Sequence, residues 1–509
     1  MTADRIAVFL GWLIILILAW KHQAFISDDT FISLRYARNL AETGMLQWNP
    51  GEWAEGYTSA LHVVVIGTIV RFGLDPVLAA HFVNICAAFG LVVATAAAAR
   101  AVLPEHRQWA LRGLTVLTLA ATPPIAMWVV GGLEAVVVAF FLMAGLAALL
   151  HDLRRPRFGS LAISAVAFSL AVLTRLDASV FIAGVGIGML LTGARPILPR
   201  CLAAACVVGI PAAVAFLHMG VRLNLYGAAF PLTFYVKTEL PLAQKINYGW
   251  AYISRGFLET PVLGLAVVII LAVLVLRKTT DATRLILPAL ALPLGYLTWA
   301  GGDHMPAARM LVPLMAPAVI LLLASVLTFA RNTASVLMGV VFMATVALEV
   351  VQPPMLQDDT AFVGEIVGRH IASEWPEDIT IALNTAGSTA YYGHPTHRFI
   401  DMLGLNDPVI ATREDVPILT ERQRFPGHSK GDGLYVLVRA PDRLIIGPAI
   451  GVDIADAWFL SGIELGQQPE FHRCYAKVET PISYDPALSI QAPERPNPIT
   501  FTYYVRSCP

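Results

Sequence analysis

Apolar runs dominate the first 350 residues, and with one exception the polar breaks between them are brief. Runs approaching the ~20 residues needed to cross a bilayer fall at roughly 5–21, 58–73, 77–99, 112–130, 134–151, 159–174, 178–193, 201–219, 259–276, 284–300, 308–330 and 332–350. The run at 58–73 is short for a full crossing. Beyond residue 351 the pattern changes. Residues 361–374 carry a helical period. Ile379–Leu383 reads as a strand running into Asn384-Thr385-Ala386-Gly387, and Leu434–Arg439, Arg443–Ile446, Phe471–Val478 and Thr500–Val505 read as further strands. The pattern predicts an all-α polytopic membrane domain over 1–350. A small soluble α/β or α+β domain, of ordinary domain size, follows over 351–509.

The exception is the stretch from residue 27 to residue 58. It reads Ser27-Asp28-Asp29-Thr30-Phe31-Ile32, passes Arg35 and Arg38, and continues through Trp48-Asn49-Pro50-Gly51-Glu52 to Glu55-Gly56-Tyr57-Thr58. It follows directly on the first apolar run. A connection this long and polar between spans has no evident packing reason, so it is read as the floor of an active site at the membrane surface.

Composition agrees with the membrane reading. The chain of 509 residues is 57% hydrophobic and 14% charged, against about 25% charged in soluble domains. Charge also divides the chain. Residues 1–350 carry 23 Lys+Arg and 16 Asp+Glu, whereas residues 351–509 carry 12 and 20. Nothing in this balance points to nucleic acid. Basic clusters at Arg154, Arg155 and Arg157, at Arg195 and Arg200, at Arg277 and Lys278, and at Arg331 mark cytoplasmic ends by the positive-inside rule. The opposite ends carry Asp28, Gly131–Glu134, Arg175–Asp177, residues 220–257 and Gly301–Arg309. These share the extracytoplasmic side with the C-terminal domain. Twelve crossings from an inside N-terminus would leave the C-terminus inside, so about 11 transmembrane helices are expected.

The run from Ile6 to Trp20 lacks a small-residue cleavage site and reads as a signal anchor. Cys86, Cys201 and Cys206 lie in apolar runs and read as core residues. Cys474 and Cys508 form a disulfide candidate if their domain is extracytoplasmic.

These stretches carry a resemblance. Asp28 to Leu40, with Trp48-Asn49-Pro50-Gly51-Glu52 and Glu55-Gly56-Tyr57-Thr58, resembles the first loop of the GT-C membrane glycosyltransferases. The most similar are the terminal arabinofuranosyltransferases of bacterial cell-wall arabinan. Shorter matches follow in order: Gly132-Leu133-Glu134, Leu173 to Asp177, Pro231 to Lys237, Gly301-Gly302-Asp303 with Arg309, and Asp401 to Asp407. The resemblance implies transfer of a sugar, arabinofuranose above all, from a polyprenyl-phosphate donor to a cell-envelope glycan or glycolipid. It places the protein in the cytoplasmic membrane, with its site on the outer face. The relatives carry a larger C-terminal domain, which leaves the acceptor open.

Each site residue has a functional and a bland reading. Asp28 and Asp29 are the catalytic candidates. A carboxylate there can take the proton of an acceptor hydroxyl, or act as nucleophile if configuration is retained; the resemblance favours Asp28 as base. The bland reading is a helix N-cap. Arg175, Lys237, His304 and Arg309 are candidates for the donor phosphate, since fixed cations stabilise a departing phosphate. Their bland reading is snorkelling or, for Arg175, pairing with Asp177. Glu52, Glu55, Glu134 and Asp303 are candidates for sugar hydroxyls, or else salt-bridge partners. Tyr57, Tyr235 and Trp299 would stack on sugar or isoprenoid, or anchor at the interface. Asp401 and Asp407 read as structural. A divalent cation near Asp28 and Asp29 is a candidate cofactor, but the spacing fixes no ligand set. Three rivals stand beside this reading: a hexosyl or aminosugar transferase acting on lipid or protein, a non-catalytic scaffold of the same fold, and a transporter. A transporter calls for ionisable groups inside its spans, whereas here they cluster at span ends.

Overall fold

The computed structural model describes residues 2–104, 108–193, 195–237, 241–276, 278–424, 427–486 and 494–508, with only the backbone of Thr2, Lys237 and residues 273–275. Arg277 and the side chain of Lys237 therefore lie outside the described residues. The chain divides into two compact units. One comprises Met1–Gln23, Ala80–His218 and Leu242–Met355, and the other Ala24–Ala79, Met219–Pro241 and Leu356–Pro509.

The first unit is helical. Six described helices are long and apolar enough to cross a membrane: Ala3–Lys21, Pro76–Val102, Ala135–Arg154, Ile197–Tyr226, Arg309–Phe329 and Arg331–Val351, two of which run on into the second unit's segments. Two bent pairs, Trp109–Ala120 with Pro123–Val130 and Leu242–Glu259 with Pro261–Ala272, raise the number to eight. Each bend falls at a proline that opens the next helix, where the residue before the ring is pushed out of helical geometry. Length and composition thus support six to eight crossings, against the eleven read from the sequence. Three of the expected runs form shorter apolar helices, Ala60–Arg71, Phe158–Thr174 and Ala178–Leu191.

The helix Val312–Phe329 is buried along nearly its whole length from Val312 to Ser325, which accounts for its lacking a polar face. Helix Ala178–Leu191 presses against helix Asp281–Ala300 through Gly184 and Gly188. A Cβ at either position would stand 2.4 Å from a backbone oxygen of Pro288 or Leu285. Small residues four apart let two backbones approach where apolar burial cannot drive helices together. Cys86, Cys201 and Cys206 are exposed on their helices rather than in the core. An apolar run satisfies a bilayer from outside as well as a core from inside.

The second unit is built around a five-stranded sheet: β1 (Thr380–Leu383), β2 (Arg398–Asp401), β3 (Arg443–Ile445), β4 (Tyr475–Ile482) and β5 (Ile499–Arg506). The order is β2-β1-β3-β5-β4. The first three strands are parallel, and β5 runs antiparallel to both β3 and β4. The core beneath it includes Ala382, Ile400, Met402, Leu444, Phe471 and Tyr504. Cys474 and Cys508 are bridged, with Cα atoms 4.8 Å apart.

Two strand expectations fail here. Residues Gly433–Arg439 form a helix, because the Asp432 carboxylate caps the Tyr435 N–H and Ala440 closes the far end in the left-handed conformation. End chemistry outweighs the β-branched composition of this segment. The expected strand at Phe471 begins only at Tyr475, since Pro469 at the first helical position starts a short helix to Cys474.

Candidate active site

The polar stretch 27–58 belongs to the second unit and is knitted into its sheet. Helix Asp28–Thr43 opens it, with both aspartates in the first turn, where the positive end of the helix dipole favours them. The Asp28 side chain does not cap its own helix. Its Oδ1 accepts from the Ser388 N–H at 2.8 Å and from the Ser388 hydroxyl at 2.6 Å. Its backbone N–H donates to Asp358 Oδ2 at 3.2 Å. A Cβ at Gly387 would stand 2.4 Å from Asp28 Oδ2, so only glycine fits beside that carboxylate. Burial pushes the Asp28 carboxyl up to about 7, against the pull of its Ser388 hydrogen bonds. Asp29 is half-buried and makes no hydrogen bond or ion pair among the described residues. The two adjacent carboxylates are therefore unlike: one is held by the segment after β1, the other is open.

Arg35 is 1% exposed. It donates to the carbonyls of Trp48 at 2.8 Å, His397 at 3.2 Å and Ala390, and its guanidinium lies 4.8 Å from the Phe399 ring centre. Asn49 exchanges two hydrogen bonds with the Phe399 backbone, at 2.7 and 3.0 Å, as a further strand residue would. Tyr36 donates to the Ala54 carbonyl and accepts from the Gly56 N–H.

The sugar candidates of this stretch all have partners. Glu52 meets Asn49 at 2.8 Å and Arg439 at 3.1 Å. Glu55 and Arg222 form an ion pair at 2.9 Å with each side chain 2% exposed. Burial raises the Glu55 carboxyl to about 7, with Arg222 pulling the other way. Tyr57 and Tyr226 hydroxyls are 2.9 Å apart. Tyr235, on helix Leu232–Lys237, is half-buried and packs edge-on against Phe234. Asp401 accepts from Leu403 and Asn406, and Asp407 caps the helix Pro408–Thr412, so both hold loops.

The remaining candidates lie in the first unit. Arg175 holds Asp177 through two nitrogens at 3.0 and 2.9 Å and Glu134 at 2.6 Å. Arg309 meets Asp303 Oδ2 at 2.7 Å and lies over the Trp128 ring. The His304 N–H donates to the same Asp303 carboxylate at 3.0 Å. Trp299 carries Lys245 over its ring at 5.1 Å. Glu134, Arg175, Asp177 and Arg309 line a small cleft whose other walls include Leu142, Phe181, Pro293 and Leu314. The arrangement sets two guanidinium groups and their carboxylates beside an apolar wall.

Sequence reading missed Ser388, Asp358, Arg222 and Tyr226. Ser388 and Asp358 are ordinary loop residues in the sequence, and no local pattern links them to Asp28. Arg222 carried a signal: it is a charge inside an otherwise apolar run, which calls for a buried partner. No group of three or more His, Cys, Asp or Glu among the described residues could hold a metal ion. Asp28 Oδ1 is met by two donors, and the described residues give no ligand set for the candidate divalent cation.

Comparison with known proteins gives the fold. No curated protein matches the chain. The family described as a domain of unknown function (DUF8728) matches residues 356–492. The Archaeoglobus fulgidus oligosaccharyltransferase, solved with Zn and sulfate, is similar at a TM-score of 0.51 and 12% identity over 77% of this chain and 62% of that one. ArnT from Cupriavidus metallidurans bound to undecaprenyl phosphate gives 0.50 and 15%, over 77% and 84%. Archaeal AglB from Archaeoglobus fulgidus, in complex with an inhibitory peptide and a dolichol-phosphate, gives 0.50 and 11%, over 77% and 64%. The chain thus spans less than two thirds of the two oligosaccharyltransferase chains.

It shares the fold of these chains.

Apolar helices and this fold together describe a multi-pass membrane protein.

Proposed function

We propose that this GT-C-fold chain is a membrane glycosyltransferase that moves a sugar from a polyprenyl-phosphate donor to a hydroxyl of a cell-envelope glycan. The observation that carries the proposal is the carboxylate pair Asp28–Asp29, one member held and the other open, within a fold shared with ArnT bound to undecaprenyl phosphate. In the reaction the acceptor oxygen bonds to the anomeric carbon and gives its proton to a carboxylate. The bond from the anomeric carbon to the phosphate oxygen breaks, and the polyprenyl phosphate leaves with the electron pair. Asp29 is the base, because a base must reach the hydroxyl it deprotonates. Asp28 is its positioning partner, holding the first helical turn to the segment after β1. Arg175 and Arg309 are assigned to the donor phosphate, with His304 and Lys237 as secondary cations. An apolar wall beside two arginines suits an isoprenoid chain with an anionic head. Glu52, Glu55, Tyr57, Glu134, Tyr235 and Asp303 remain assigned to the sugar side, with their ion pairs and hydrogen bonds fixing their orientation.

The finer assignments keep their own grounds: arabinofuranose as the sugar rests on the first-loop motif, about 11 crossings and a membrane domain to residue 350 with a soluble domain beyond it rest on the hydropathy and charge pattern, and an extracytoplasmic site rests on the basic clusters. The runner-up is transfer of a hexose or aminosugar to lipid or protein, which the peptide bound by AglB keeps in view. Purified protein is incubated with a panel of polyprenyl-phospho-sugars and envelope glycans, and product is read by mass spectrometry. Transfer from a pentofuranosyl donor supports the reading. Transfer only from a hexosyl donor replaces it with the runner-up. No transfer from any donor, by protein that binds polyprenyl phosphate, leaves a non-catalytic scaffold.

A further inference from the structure

The parallel part of the sheet reverses its winding at β1. From β1 the chain crosses to β2 on one side and later to β3 on the other. At such a point the loops leaving neighbouring strands diverge, and ligands of open α/β sheets settle outside the carboxyl ends there. The two sides of β1 are treated differently. On the β2 side, the space beyond the carboxyl ends is taken up by the 27–58 stretch. Tyr36 reaches Asn406 there, and a Cβ at Gly56 would strike the Asn406 side chain at 1.9 Å. On the β3 side stand Asn384, the first residue after β1, and Gly447, just beyond β3, with a φ of +83°.

Asn384 is 3% exposed. Its Oδ1 accepts from the Gly447 N–H at 2.9 Å. That bond fixes which end of the amide is which, because a backbone N–H can only face the oxygen. The Nδ2 is then the other end, buried and without a hydrogen-bond partner among the described residues. An unmet buried donor is destabilising, and completion by a ligand removes that cost. Thr385 follows, half-buried, with its hydroxyl 3.4 Å from that of Thr389. Three residues further on, Ser388 holds Asp28 and so sets the position of Asp29.

We infer that the β1–β3 crevice is a subsite for a neutral sugar residue of the acceptor. This rests on the proposed glycosyl transfer for its role, but not for its ligand chemistry. Asn384 Nδ2 donates to a sugar oxygen, and the Thr385 hydroxyl donates to or accepts from a neighbouring one. Amide and hydroxyl groups match sugar hydroxyls, whereas a phosphate calls for cations. The Asp28–Ser388 bond ties this subsite to the carboxylate that deprotonates the acceptor.

The test uses full-length protein in detergent and a panel of soluble neutral oligosaccharides of pentofuranose and hexopyranose, with binding read by saturation-transfer NMR and calorimetry. Asn384→Asp keeps the acceptor for Gly447 and removes the donor. Thr385→Val keeps the shape and removes the hydroxyl. Each lost hydrogen bond is expected to weaken binding of the best oligosaccharide about tenfold. In the transfer assay the acceptor KM should rise by a similar factor while the donor KM and the melting temperature hold. The inference falls if wild-type protein binds none of the panel, or if both folded variants bind and transfer as wild type. It falls too if the donor KM alone moves. Should Asn384→Asp fail to fold, Thr385→Val decides alone. Oligosaccharide binding that depends on these residues, in protein that transfers no sugar, would overturn the catalytic reading and leave the subsite standing.

Discussion

The two neighbouring aspartates make a sharp comparison, because their surroundings differ so much. Asp28→Asn retains an oxygen that can accept both Ser388 hydrogen bonds. It also removes a charge that burial disfavours. One pKa unit corresponds to about 1.4 kcal/mol, so the rise from 3.8 to about 7 places ionisation of Asp28 some 4 kcal/mol above that of a solvated carboxyl. The asparagine escapes this cost, and the variant should melt at or above the wild-type temperature at pH 8. Its transfer rate should fall less than about tenfold, the loss expected when a positioning group keeps its bonds. Asp28→Ala strands the Ser388 N–H and hydroxyl and should lower stability by roughly 1–3 kcal/mol for each group left unmet. Asp29→Asn removes the open carboxylate and touches no hydrogen bond among the described residues. Its stability should hold, while transfer slows about 10²–10⁴-fold, or roughly 3–5 kcal/mol of barrier. Melting temperature, donor affinity and single-turnover rate on the three purified variants separate the effects. A near-normal rate in Asp29→Asn with a collapse in Asp28→Asn would show that the held carboxylate is the base. Normal rates in both would remove the pair from the chemistry.

Four further outcomes are expected. Asp28, Glu55 and Asp401 all have carboxyl groups raised to about 7 by burial; the folded state thus holds their protons more tightly than the unfolded chain, and their stability contribution is full below about pH 4 and lost as pH rises through 7. Chemical denaturation between pH 5 and 8 should show this fall, and Asp28→Asn should shrink it; stability rising with pH would refute the assignment. Removing one partner of the buried Glu55–Arg222 pair, as in Arg222→Met, should cost about 3–5 kcal/mol, and Glu55→Leu in the same chain should recover most of it. Cysteines placed at exposed positions of 242–250 and of 413–421 should react with an impermeant thiol reagent in intact cells, and protection of both would invert the proposed orientation. Reduction of Cys474–Cys508, whose positions are 34 residues apart, should destabilise by about 3–4 kcal/mol on the chain-entropy account, read as a lower denaturation midpoint.

Hydropathy made the membrane helices legible, because a spanning segment carries its whole signal locally. Their number was not, because helices such as Phe158–Thr174 and Ala178–Leu191 are shorter than a bilayer's thickness demands. Strands β1, β3 and β5 showed as short apolar runs, whereas β2 hid in the polar context of His397-Arg398-Phe399. The helix at Gly433–Arg439 was misread since its cause is one capping carboxylate, Asp432, which composition does not weigh. Asp28 and Asp29 were legible as a pair through motif and position. Their division of labour was not, since it is set by Ser388, 360 residues away.

The long polar stretch after the first span looked functional because nothing local explained its length. Its packing partner is remote in sequence: Arg35 ties it to Ala390 and His397, Asn49 to Phe399 on β2, Asp28 to Ser388 and Glu52 to Arg439. Much of its polarity is therefore spent on satisfying carbonyls and N–H groups that burial would otherwise strand. The motif residues then sort by what they touch. Arg35, Tyr36 and Asn49 are consumed by structure, and their replacement should fail at the level of folding. Asp29 makes no hydrogen bond or ion pair among the described residues, so no structural bond accounts for its being acidic. A half-buried carboxylate without a partner, one residue from a carboxylate that is firmly held, is what a site that must accept a proton requires. That contrast, more than the motif as a whole, is the argument for catalysis here.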